Sequence, residues 1–447
     1  MGAYIDQFEI DLLRYKIQPK EAERLQPQQA LLLKAADNAI KDAGLDENKN
    51  VAVLVAMDTE LAIHQCLARW DVEWQIEDAL KNTDLDLEKS SISELIDITK
   101  KAIYHRQGAP TPSEFTSFIG NLIACRISSL WDFSGPAFTV SCTENSVFKA
   151  LEIAQNLLSL GEVDAVVVGA VDFAGGLENV LLRQKENPSK HTINPSTLFS
   201  TNSNNWLIGE GAGAVVLKKH KSDSSDKVYA VIDEIGSWKT GNSIDYLELA
   251  ATGIVTQNQF EQNQLLKKKP KNSVALGTIK ANFGNCFAAS GMASLIKTAL
   301  CMYYRFIPGI ADWSAPENKA FQKTNYYFPT ESRPWILAKG QNERKASING
   351  VGDIQIQLSL DQGKSYQGFG FLQTQLPNLF ILTGNSAEHL LNQLDLLNSQ
   401  IQNGHELLTI AATLHDTFCQ QKSKYTIVLV AKDQISLQKE IEVFQKN

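Results

Sequence analysis

Cysteine is scarce in this chain of 447 residues, and its six copies are scattered. Cys66, Cys125, Cys142, Cys286, Cys301 and Cys419 form no CxxC and no cysteine–histidine pair at zinc spacing. That excludes a disulfide framework and a zinc site, and leaves the reduced thiols expected of a cytoplasmic protein. An excess of positive charge is also missing: a formal charge of −8 and a pI near 5.5 argue against a nucleic-acid binder. The basic run Lys267–Lys271 around Pro270 reads as a solvated loop. No apolar run is long enough to span a bilayer. The first residues carry Asp6, Glu9 and Asp11 with no apolar core behind them, so no signal peptide is expected. What the chain has is 43% hydrophobic residues, enough for the cores of two or three units of ordinary size.

The stretch that organises the rest is GPAFTVSCTENSVFKALEIAQNLLSL, residues 135–160. Residues 136–141 predict a short buried strand. Residues 145–160 predict a helix, because Val147, Ala150, Leu151, Ala154, Leu157 and Leu158 recur at helical spacing. The tight turn between them presents Glu144 at the positive end of the helix dipole.

Upstream, a helix opens at Pro27 and closes at Gly44, and Val51–Met57 is a strand buried on both faces. A polar, largely helical insertion begins at Asp58, its dense charges reading as solvated surface. Pro112–Leu130 reads as one helix with Phe115, Phe118, Ile119, Leu122 and Ile123 on one side. Val163–Phe173 is a buried strand. In Trp206–Lys219 a glycine-rich turn at Gly209–Gly213 leads into a strand, not a helix, which favours a structural role over phosphate binding.

From Lys227 the pattern restarts: a strand, a helix over Gln257–Lys267, a strand over Val274–Ala281 and a helix over Ala288–Tyr304. Two α/β halves in tandem imply a duplicated architecture. Beyond Gly363 a glycine-containing join leads to a strand at Phe380–Leu382, helices over Ser386–Gln402 and His405–Gln420, a strand at Tyr425–Ala431 and a last helix.

The 135–160 stretch resembles the nucleophile elbow of the β-ketoacyl synthases, GPxxTVDTACSSSLxAL, with Gly135, Pro136, Thr139, Val140, Ser146, Ala150 and Leu151 in register. Residues 17–45, IQPKEAERLQPQQALLLKAADNAIKDAGL, resemble the family's SPREAExxDPQQRLLLExAxEALEDAG. In this register the reactive cysteine falls on Glu144, and a carboxylate forms no acyl thioester. The family's two histidines stand in VEAHGTGTxxGDPIE and KSNIGHxxxAAGxAxxIK. Here the matching runs are LELAATGIVTQNQFE, with Ala250 in the first slot, and KANFGNCFAASGMASLIK, with Asn285 in the second and Lys280 retained. The histidines, at 64, 105, 191, 220, 389, 405 and 415, all fall elsewhere.

The resemblance implies a thiolase-like duplicated α/β fold, with halves at 1–225 and 226–365 and a small α/β linker domain at 366–447. The family carries its first strand some tens of residues before the 17–45 segment. The chain therefore reads as part of a longer synthase, and the completeness of its first sheet is open. Three vacant addresses imply a chain-length factor, most similar to those of bacterial polyunsaturated fatty acid and related secondary-lipid synthases. Such a factor binds no cofactor or metal. It pairs with an active ketosynthase as a pseudo-symmetric heterodimer and acts on phosphopantetheine-bearing acyl carrier protein domains of the same synthase. The family's dimer strand corresponds to Ala137–Ser141, with Phe138 and Val140. The helix that ends the acyl tunnel corresponds to Phe115, Phe118 and Leu122, a stripe that equally suits plain core packing.

Two enzymatic readings stay open. One is a malonyl-carrier-protein decarboxylase using the Glu144 site, against a purely structural Glu144 held by the dipole and by Lys280. The other is a condensing enzyme using Cys142, which sits two residues early, off the helix N-terminus and without a histidine partner.

Overall fold

Alternating apolar faces sort the first part of the chain around one sheet. In chain order its main elements are β1 (Gly2–Ala3), α1 (Pro27–Asp42), β2 (Val51–Ala56), α2 (Ala62–Lys81), α3 (Lys89–Gln107), α4 (Asn121–Leu130), β3 (Ala137–Val140), α5 (Ser146–Leu160), β4 (Ala165–Phe173), α6 (Leu177–Glu186) and β5 (Ile208–Lys218). The computed structural model describes residues 2–22, 25–45, 49–58, 62–83, 88–107, 119–173, 175–186, 188, 190–191, 199, 205–221, 226–238, 244–268, 270–310, 321, 323–337, 341–364, 377–402, 407–420 and 423–446. The chain divides into two units, Met1–Ser365 and Tyr366–Asn447.

The five-stranded sheet has the order β1–β5–β4–β2–β3, with β5 antiparallel to β4 and the other pairings parallel. Every residue of β2 is fully buried, because both faces of the sheet are covered. Val51, Val53 and Val55 face a cluster with Leu32, Leu33, Ala36 and Ile40 of α1 and Ile123 and Ile127 of α4. Leu54 and Ala56 face the opposite cluster, with Val147, Leu151 and Ala154 of α5. At the outer edge Gly2 and Ala3 pair with Ile208 and Gly209, so a two-residue strand stands there.

The second half repeats the plan with β6 (Val231–Gly236), β7 (Tyr246–Glu248), α7 (Val255–Lys268), β8 (Val274–Gly277), α8 (Lys280–Phe283), α9 (Ser290–Tyr304), β9 (Tyr326–Tyr327), β10 (Glu343–Asn349) and β11 (Gln355–Asp361). Their six-stranded sheet has the order β9–β8–β7–β10–β11–β6. One core joins the two sheets: Leu54 and Val168 of the first, Leu151 and Ala154 of α5, Met292 and Leu295 of α9, and Ile348, Ile356 and Leu358 of the second. Helices α5 and α9 therefore form the middle layer. Leu265 of α7 packs on the far face of the second sheet with Leu247, Val274 and Leu276.

Several elements depart from the sequence reading. Gly209–Gly213 is not a turn but part of the long strand β5. Its glycines are there for close approach: a Cβ at Gly209 would lie 2.2 Å from Phe283 O, and one at Gly213 2.9 Å from Ile296 Cδ1. The strand at 274 stops at Gly277, because Glu248 captures the backbone N–H of Ile279 at 2.5 Å and the chain turns into α8. A 3-10 turn, Phe287–Ala289, precedes α9. Lys267 and Lys268 close α7 instead of lying in a loop, and Lys268 sits over the Trp238 ring.

Of the helix expected over Pro112–Leu130, the described residues show Asn121–Leu130 as helix, with Ile119 and Gly120 outside it. Asn121 Oδ1 accepts the Thr139 N–H of β3 at 3.0 Å, which fixes the helix start against the strand edge. Phe115 and Phe118 lie outside the described residues.

In the second unit, β12 (Asn378–Gly384) and β13 (Tyr425–Ala431) pair antiparallel, with α10 (Ala387–Gln402), α11 (Leu407–Gln420) and α12 (Gln434–Lys446). Its own core gathers Phe380, Leu382, Leu394, Leu397, Leu429, Leu437 and Ile441.

Candidate functional site

The turn between β3 and α5 is built by its own side chains. Ser146, fully buried, accepts the Cys142 N–H through Oγ at 2.9 Å and donates to the Thr143 carbonyl at 2.6 Å. This clamp closes the turn, with Thr143 in the left-handed region at φ 49°. Asn145 is clasped from the far end of the unit, donating to Val351 O and accepting from Val351 N, both at 2.9 Å. Between these two anchors Glu144 projects, its side chain 11% exposed.

Lys280 completes the cluster. Its Nζ stands 3.5 Å from Glu144 Oε2 and donates to the Ala250 carbonyl at 2.6 Å. The fold thus brings Glu144, Ala250 and Lys280 together. Asn285 is buried but engaged in its own loop: Oδ1 accepts from Phe287 N and Ser290 Oγ, and its N–H donates to Leu207 O. None of its hydrogen bonds reaches the other three.

Two buried carboxylates support the cluster and escaped the sequence reading as site residues. Glu261 accepts the N–H groups of Ala250 and Ala251 and Asn349 Nδ2 at 2.8 to 3.0 Å. Burial pushes its pKa up in spite of these donors and of Lys280. Glu248 accepts from Tyr246 OH, Lys297 Nζ and Ile279 N, and so anchors the segment that carries Lys280. The signal for Glu248 was present: it is a lone acid between Leu247 and Leu249 in a buried strand.

The remaining candidates separate from the cluster. Cys142 is exposed, and no hydrogen bond joins its thiol to Glu144 or Lys280. The neighbouring thiol of Cys286 is pushed up to about 12 by burial, which keeps it inert. Leu122 lies half-buried in the first turn of α4, beside Ile123 and Ile127 that enter the core. Phe138 and Val140 turn inward. Both pack into the core between the sheets, because the alternation of β3 follows that of β2 beside it. The Phe138 and Val140 side chains therefore belong to this chain's own core, and on the edge of β3 away from β2 the Thr139 N–H is taken by Asn121 Oδ1. Among the described residues there is no cluster of metal-ligating side chains and no helix long and apolar enough to cross a membrane.

Two family descriptions match consecutive parts of the chain: "Beta-ketoacyl synthase, N-terminal domain" at residues 1–223 and "Beta-ketoacyl synthase, C-terminal domain" at 213–313. The chain belongs to the β-ketoacyl synthase family. Its two mixed sheets and middle helix layer are the thiolase-like fold of these synthases. A subunit of the polyunsaturated fatty acid synthase of Thraustochytrium sp. is 30% identical over 441 residues, covering 89% of this chain and 20% of that protein. Polyketide synthase PksL of Bacillus subtilis is 24% identical, over 79% of this chain and 8% of its own length. The chain therefore spans a fifth or less of these curated relatives. Among solved structures, "PfaC Keto synthase-Chain length factor" is 29% identical with a TM-score of 0.62, covering 99% of this chain and 39% of that one. The module 6 ketosynthase of the Bacillus subtilis bacillaene synthase, 21% identical with a TM-score of 0.61, covers 98% and 74% and shares the fold.

Proposed function

We propose that this β-ketoacyl synthase homologue is a chain-length factor: a non-condensing partner of an active ketosynthase in iterative acyl elongation on acyl carrier protein. One observation carries the reading. At the address of the family nucleophile stands a carboxylate held by Lys280, and Lys280 is itself fastened to the backbone of Ala250, where the family has a histidine. Condensation in this family needs a cysteine thiolate and two histidines, and Glu144, Ala250 and Asn285 stand at those three addresses. The likeness to a ketosynthase–chain length factor structure supports pairing with an active ketosynthase as a pseudo-symmetric heterodimer. The outer edge of β3, beside Asn121, is the surface proposed for that pairing. Carrier protein domains bearing phosphopantetheine are the proposed source of substrate.

Co-expression with the ketosynthase of the same synthase tests the pairing: one co-eluting species in size-exclusion chromatography supports it, and two separate ones refute it. The proposed end of the acyl tunnel is Phe115, Phe118 and Leu122. In the complete synthase, at least one of Phe115→Ala and Phe118→Ala should lengthen the acyl product without loss of soluble complex; unchanged products from both place the gate elsewhere.

A second reading has an observation of its own. The Lys280 ammonium beside Glu144 could stabilise the enolate left by loss of carbon dioxide from a malonyl thioester. Carbon dioxide release from malonyl carrier protein by the isolated chain, abolished in Lys280→Met, would favour a decarboxylase over the scaffold. Condensation through Cys142 has no such support, and mass mapping of an acylated thiol would be needed to revive it.

A further inference from the structure

A cleft opens at the other end of α5 from Glu144, and no elbow residue lines it. Its floor is where the middle layer meets both sheets: Leu158 of α5, Leu295 and Ile296 of α9, Val215 and Leu217 of β5, and Ile232 of β6. Its volume is about 510 Å³. A cavity of about 150 Å³ takes one benzene ring, so this one has room for on the order of 20 carbon atoms.

The rim has the opposite chemistry. Among the described residues, Lys218, Lys219, His220, Lys221 and Lys227 border it against two carboxylates, Asp42 and Asp226, in a chain whose net charge is −8. Both carboxylates are already engaged. Asp226 pairs with Lys218, and Asp42 takes Lys227 and the Tyr229 hydroxyl. Lys219 and Lys221 are exposed and have no ion pair among the described residues. An apolar trough with two exposed ammonium groups at its mouth, neither ion-paired among the described residues, is complementary to a single-chain anionic amphiphile.

We propose that this cleft binds a free long-chain fatty acid, with its chain along the Leu158–Ile296 floor and its carboxylate against Lys219 and Lys221. The site is separate from the elbow and does not depend on whether the elbow catalyses anything. Occupancy would bridge α5, α9 and the edges of both sheets.

The test titrates sodium oleate, below its micelle concentration, into the full chain by calorimetry, with methyl oleate as the uncharged comparison. Saturation at one equivalent is expected, with methyl oleate at least about tenfold weaker. The double variant Lys219→Glu, Lys221→Glu changes only exposed side chains and should weaken oleate by about tenfold or more. Ala299→Phe, which fills the open side of the cleft, should do the same. A photoreactive oleate analogue should label α5, α9 or β6. Failure of oleate to bind, equal binding of the ester, indifference to the double charge reversal, or labelling at residues 141–145 or in the second unit would each overturn the proposal.

Discussion

The Lys280 ammonium and the Glu144 carboxylate stand 3.5 Å apart, with 5% and 11% of their side chains exposed. In so dry a setting the pair matters less for the stability it adds than for the damage done when one member is removed. Lys280→Met leaves a carboxylate and the Ala250 carbonyl without their donor, and should cost about 3 kcal/mol in urea unfolding. The double variant Glu144→Gln, Lys280→Met should recover much of that loss. Equal stabilities of the single and double variants would show that the pair is not coupled.

Glu144→Cys should not make a condensing enzyme. The new thiol would sit beside Lys280, but with Ala250 and Asn285 in place there is no imidazole to hold a thioester oxyanion or assist decarboxylation. Carbon–carbon bond formation by that single variant, detected by mass spectrometry of the carrier-bound product, would contradict the proposed function.

Glu261 should make stability depend on pH with a definite sign. Burial raises its pKa in the folded state above the ordinary value near 4.5. The folded protein therefore holds this proton more tightly than the unfolded chain. The resulting contribution to stability is fully present below about pH 4.5 and is lost as pH rises through the folded pKa. Glu261→Gln should flatten this part of the thermal-midpoint profile, and an unchanged slope would reject the assignment.

Gly209 and Gly236 should answer differently to alanine. At Gly209 the added methyl meets the Phe283 carbonyl at 2.2 Å, and about 1 to 3 kcal/mol should be lost. At Gly236 nothing lies within 4 Å, so alanine should be neutral or stabilise by about 0.4 to 1 kcal/mol through the unfolded chain. Denaturation midpoints of the two variants decide the comparison.

Periodicity made the middle layer legible: α5 and β4 fall within a residue or two of where Val147–Leu158 and Val163–Phe173 place them. Contacts between distant segments stayed hidden. The glycines of β5 resemble a turn until the 283–286 loop is seen pressed against them. Asn121, at the start of α4, serves a strand edge, a contact that no spacing within 112–130 reveals. At the site, aligned motifs placed Glu144, Ala250 and Lys280 individually. Their joining through one ammonium, and the support from Glu248 and Glu261, depend on side-chain directions that local sequence does not encode.

The clasp between Asn145 and Val351 spans 206 residues of chain. At a ribosome adding about 5 to 20 residues per second, Val351 is made roughly 10 to 40 s after Asn145. Once β4 is made, α5 has its strand neighbours of the first sheet but not the anchor that sets its first turn. The elbow is thus among the last features of the unit to be fixed during synthesis. A translational pause placed between residues 160 and 350 would lengthen the time for which the half-covered middle layer is open to chaperones or to misassembly.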